Sequence, residues 1–136
     1  MTIQYNAATR NAKLDAVEST NSTSCSMSIF SGAQPANCTS TNPTGVLWTI
    51  NLPTDWMNAA ATGAKTKLGT WSGAASAGGT GISFRLYNSQ ATKDGTTCFM
   101  QGSVGLGSGD LSLDNNVIGS GQTVTINTFT INDNNP

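Results

Sequence analysis

The hydrophobic rhythm of the chain changes near residue 20. From Asn6 to Ser19 the run "NAATRNAKLDAVES" is built of residues with high or tolerable helix propensity, and Asn6 can accept from the first free backbone N–H groups. A helix is expected there. Its apolar face is thin, so it should lean on another surface, either its own sheet or a neighbouring subunit, or serve as a short arm. After it the period becomes two. Cys25, Met27 and Ile29 alternate with Ser24, Ser26 and Ser28, the pattern of a half-buried strand. "SGAQPANCTSTNPTG" then reads as loop, punctuated by Pro35, Pro43 and Gly45. Val46, Trp48, Ile50 and Leu52 alternate with Leu47, Thr49 and Asn51 until Pro53 ends the strand.

The stretch from Thr54 to Gly81 fits two patterns, a helical turn capped by Thr54 or a short strand with a wide loop. Beyond it Ile82, Phe84 and Leu86 face one way and Ser83, Arg85 and Tyr87 the other. "NSQATKDGTT" is a polar connection with Asp94-Gly95 as its turn signal, and Cys98 to Val104 alternates again, so a hairpin is predicted. Leu111 and Leu113 make a short strand, Asp114-Asn115-Asn116 a turn, and Gln122 to Asn132 a last strand. In that strand Val124 and Ile126 share one parity while Phe129 and Ile131 share the other. One flat strand cannot bury both pairs, so a bulge, a bend or a passage between sheets is expected at Asn127-Thr128. Six or so short strands with Gly/Asn turns predict a single all-β domain over residues 1–136. Its core, 21–136, would be an antiparallel β-sandwich or jelly roll, preceded by an N-terminal helix or arm over 1–20.

Composition supports turns and strands. Gly, Ser, Thr and Asn fill 64 of the 136 positions, while charged residues make up 10% and the net charge is −1. Nine aromatics and low charge argue against disorder. The six cations, Arg10, Lys13, Lys65, Lys67, Arg85 and Lys93, are scattered, which excludes the clustered basic footprint of a nucleic-acid binder. A near-neutral skin repels copies of itself weakly and suits a protein that sits in an assembly. The first residues lack an apolar segment, and no stretch reaches transmembrane length, so neither a signal peptide nor a membrane partner is expected. Cys25, Cys38 and Cys98 match no zinc spacing. Free thiols in a reducing compartment are expected, with one disulfide and one free thiol as the alternative.

Candidate chemistry is sparse. The chain has no histidine, no serine-nucleophile elbow, and a single glutamate, Glu18, so catalytic and metal residues are expected to be none and no cofactor is implied. Asp110, Asp114, Asn115 and Asn116 could offer oxygens to calcium, but their spacing fits no EF-hand loop and reads as an ordinary turn. Trp48 lies in phase with the core. Trp56 and Trp71 flank the irregular middle, and Arg85 and Tyr87 share the outward parity of their strand. These four are the candidate partner contacts, with sugar stacking on the tryptophans as a further use.

The segments "ATRNAKLDAVES", "SIFSGAQPAN", "LPTDWM", "GTWSGAASAGG" and "LDNNVIGSGQTVTI", in that order, resemble a group of small proteins encoded among the structural genes of tailed bacteriophages. The resemblance covers nearly the whole chain. It implies an all-β virion component assembled in the host bacterial cytoplasm. On that footing the expected function is non-enzymatic. The chain would be a capsid decoration or cement protein, a homo-oligomer whose partner is the major capsid protein or another virion protein. A tail or fibre component, such as a glycan-binding module, is the alternative.

Overall fold

The computed structural model describes residues 3–134. One helix, α1 (Ala7–Ser19), precedes eleven strands: β1 (Ser26–Phe30), β2 (Val46–Asn51), β3 (Ala64–Thr66), β4 (Trp71–Ala74), β5 (Gly79–Thr80), β6 (Ser83–Tyr87), β7 (Cys98–Leu106), β8 (Leu111–Leu113), β9 (Val117–Ile118), β10 (Thr123–Ile126) and β11 (Thr130–Asn132). The chain is mostly β, with a five-stranded sheet in the order β2-β1-β6-β7-β8 and three two-stranded ribbons, β10-β4, β11-β3 and β5-β9. The core lies between the sheet and the first two ribbons. Phe84 of β6 meets Phe129 edge-on at 5.8 Å, and Trp48 of β2 donates its indole N–H to Gly73 O of β4 at 2.9 Å.

The helix forms where its residues predict it. Asn6 Oδ1 accepts from Thr9 N at 2.9 Å and closes the first turn. Only Leu14 is buried, as the thin apolar face requires, so polar contacts dock the helix onto its own chain. Asp15 Oδ1 accepts from Ala60 N and from Lys65 Nζ, at 2.9 and 2.8 Å. Glu18 Oε1 accepts from Trp56 N and Met57 N, at 3.1 and 3.0 Å, while its second oxygen pairs with Lys65 Nζ at 3.0 Å. Lys65 is 2% exposed. Burial works against its charge, but the hydrogen bonds to Asp15 and Glu18 outweigh that cost and raise its pKa.

Three local expectations change, and one open choice is decided. β1 is buried at every position, because its serine face is roofed as well as its apolar face. In β2 a register shift opposite Ile29/Phe30 turns Leu47 into the core and leaves Val46 44% exposed. In the middle segment the strand-and-loop pattern is the one of the two that forms. It folds as β3 and β4, with a turn at Thr62-Gly63 in which both residues have positive φ. The sheet is not wholly antiparallel, since β7 and β8 run parallel with Val104 opposite Leu111. Parallel neighbours usually need a crossover of a dozen residues or more. Here "GSGD" turns back at once, with Gly107 and Gly109 at φ 63° and 80°, a region that side chains resist.

The parity break at Asn127-Thr128 is a passage between ribbons. Val124 and Ile126 are buried while β10 pairs with β4; the chain then leaves that ladder, buries Phe129 and pairs with β3 as β11. Separate partners for the two halves let each present its own parity inward.

Candidate functional site

All four expected contact residues lie inside the molecule. Trp56 and Trp71 are fully buried, with ring centroids 6.3 Å apart. Trp56 also packs on Phe99 at 5.8 Å and Trp71 on Phe129 at 5.4 Å, and Trp71 donates to Leu68 O at 3.0 Å. They form an aromatic core and present no stacking platform. Period-two reasoning could not place them, because they flank the irregular segment where no phase exists.

Arg85 and Tyr87 hold the outward parity assigned to them, yet both are fully buried. The loop between β1 and β2 lies over their face of the sheet. Arg85 uses every guanidinium N–H, three toward the loop and two toward Gln101 of β7. Nε and Nη2 donate to Gln101 Oε1 at 3.1 and 2.9 Å, Nη1 to Ser40 O and Asn42 Oδ1 at 2.9 and 3.0 Å, and Nη2 also to Asn37 O at 3.0 Å. Tyr87 donates to Asn42 Oδ1 at 2.8 Å, Gln101 to Pro35 O at 2.7 Å and Ser83 to Gly32 O at 2.7 Å. Burial raises the Tyr87 pKa despite the nearby guanidinium, so the phenol keeps its proton. The arrangement is a fastening in which one sheet cation organises a loop of neutral carbonyls. An arginine in phase with Ser83 and Tyr87, downstream of a long amide-rich loop, is the signal that could have shown it.

The acidic-amide cluster closes turns. Asp110 Oδ2 accepts from Ser103 N and Oγ, both at 2.8 Å, and these bonds hold its pKa below the ordinary carboxylate value. Asp114 accepts from Asn127 at 3.0 Å, and Asn115 Oδ1 caps Val117 N at 3.0 Å. Among the described residues no three acidic, cysteine or histidine side chains gather around a point where a metal could sit. A hollow of about 480 Å³ opens between Phe84, Met100, Asp110, Phe129 and Asn132. Its one carboxylate is the Asp110 group already bound to Ser103.

The exterior is left with few charges and several apolar side chains. Each of the six cations is engaged within the chain. Arg10 donates to Asp133 O at 2.6 Å, Lys13 pairs with Asp133 at 2.8 Å, Lys67 donates to Gly69 O at 2.6 Å, Lys93 donates to Gln90 O, and Lys65 and Arg85 are buried. Val46, Ile82, Leu106 and Val117 are each more than 40% exposed. The ladders bring them to one end of the sheet. Val46 pairs with Phe30, the last residue of β1; Ile82 N bonds Phe30 O; Val104 N bonds Ile82 O; and Val117 pairs with Thr80. Leu106 ends β7 at that same rim. Comparison of this chain with protein-family models, with curated proteins and with solved structures finds no match.

Proposed function

We propose that this chain is a non-enzymatic structural protein of a bacteriophage virion, a decoration or cement protein that binds the head as a small homo-oligomer against the major capsid protein. The observation that carries the reading is the exposed rim of Val46, Ile82, Leu106 and Val117 on a molecule whose cations are all turned to internal partners. Such a rim gains by burial against another apolar surface. The resemblance to phage structural proteins supplies the assembly. Copies bound across seams would stabilise the assembled lattice by mass action, since they bind it and not its separated subunits. In the same reading the sheet and the ribbons facing it are the two layers of a jelly-roll-like sandwich. A tail or fibre module reading glycans needs an exposed aromatic platform, and Trp56 and Trp71 are buried.

Cryo-microscopy of the purified particle tests the reading. The expected result is density for this chain on the outer head surface. Density on the tail alone would move the protein to the alternative, and a particle without the chain would end both. A paired variant, Leu106→Lys with Val117→Lys, should abolish co-sedimentation with shells while leaving the melting temperature within a few degrees, because both positions are already solvated.

A further inference from the structure

Two of the three cysteines are brought together by a detail of register. Leu86 pairs with Met100 but Tyr87 pairs with Cys98, so Phe99 is an extra residue in β7. The bulge turns Phe99 onto Trp56 and puts Cys98 on the Arg85–Tyr87 face, under the loop. Cys38 is in that loop, between two fastened residues: Asn37 O and Ser40 O both accept from Arg85. Thr39 O presses on Gly95 so closely that a Cβ there would be 2.4 Å away. With the loop held there, Cys38 is brought beside Cys98. Both residues are half-buried, within reach of a small reagent, whereas Cys25 is fully buried and donates to Ser22 O at 2.8 Å.

We propose that Cys38 and Cys98 are a disulfide-forming pair, a covalent clasp that closes the loop onto the sheet when the protein meets an oxidising medium. The proposal stands on the bulge and the loop docking and does not depend on the virion reading. The oxidant it names is a low-molecular-weight disulfide, for instance oxidised glutathione. Cys38 Sγ, as thiolate, attacks one glutathione sulfur, breaks that S–S bond and releases one glutathione thiolate. Cys98 Sγ then attacks the Cys38 sulfur and releases the second. The two cysteines are oxidised, the glutathione disulfide is reduced, and the two protons end on the released thiols. Burial, with Cys38 beside it, pushes the Cys98 thiol up to about 12, so Cys98 keeps its proton at neutral pH and is a poor opening nucleophile.

The test uses the folded full-length chain, equilibrated in reduced or in oxidised glutathione, trapped with N-ethylmaleimide and mapped by peptide mass spectrometry. The expected result is a Cys38–Cys98 linked peptide in the oxidised sample only, with Cys25 alkylated only after unfolding. The melting temperature should rise by roughly 10 °C, because the link restricts the unfolded chain. Cys25→Ser should keep the link and the shift, and Cys38→Ser should lose both. The reduced and oxidised wild-type comparison stands even if a variant fails to fold. Separate glutathione adducts, a link through Cys25, both thiols still alkylated in oxidised buffer, or a link without a rise in melting temperature would each overturn the proposal.

Discussion

Arg85→Met should release the loop from the sheet, and the size of the effect follows from the bonds it breaks. Arg85 is fully buried and donates to four acceptors. After substitution Asn42 Oδ1 still accepts from Tyr87, but Asn37 O, Ser40 O and Gln101 Oε1 lose their guanidinium donors. The three acceptors are only part-buried, so the about 1–3 kcal/mol that a stranded buried group costs is an upper bound for each, about 9 kcal/mol in all if nothing moved. Two effects reduce that sum. The loop can lift so that its carbonyls meet water, and the interior no longer desolvates a cation, which for a hydrophobic replacement recovers a few kcal/mol. The expected net loss is about 2–4 kcal/mol, a large share of the roughly 5–15 kcal/mol that holds a domain together. Urea unfolding should show the loss as a lower midpoint with an unchanged slope. Hydrogen exchange should speed up at the amides of residues 37–42 and not in α1. Arg85→Lys, which keeps the charge but not the planar fork, should fall between the two. A loss under about 1 kcal/mol with wild-type protection across the loop would refute the idea that this cation organises it.

The same closure predicts that Gly95→Ala, whose new Cβ would lie 2.4 Å from Thr39 O and 2.7 Å from Ser40 O, destabilises the fold by about 1–3 kcal/mol and exposes the loop to protease. Acid should also loosen the molecule. Hydrogen bonds hold Asp110, Asp94 and Asp15 below the ordinary carboxylate value, chiefly from Ser103, Thr96 and Lys65 respectively. A folded-state pKa that is depressed contributes stability above the unfolded value and loses it as pH falls. The urea midpoint should therefore be flat from pH 7 to about 5 and decline below about 4, less steeply in Asp110→Asn; a flat profile down to pH 3 would contradict this. Finally, deleting Thr128 should prevent folding, because it takes one residue from the passage that lets Val124 and Phe129 both face inward. A monodisperse deletion variant with native circular dichroism would show that the passage has slack.

Reading from the chain alone, the features legible in advance were those set by neighbours in sequence. The cap at Asn6 and the helix after it depend on contacts three or four residues apart, and they stand where the propensities place them. The alternation in β2, β6 and β7 likewise reports local parity, and the parity break at Asn127-Thr128 reports a real change of partner. Parity names two faces but not what lies over each. For Arg85 and Tyr87 that was decided by a loop more than forty positions upstream in the chain, drawn down by hydrogen bonds that no spacing encodes. Bulges are equally hidden. One extra residue at Phe99 moved Cys98 from the face its parity assigns to the face where Cys38 waits, and one irregularity beside Phe30 traded Val46 for Leu47 in the core. Local periodicity is written into the chain by residue type, whereas covering a face or inserting a residue is chosen by the free energy of distant surfaces meeting, and that is settled only once the whole chain has packed.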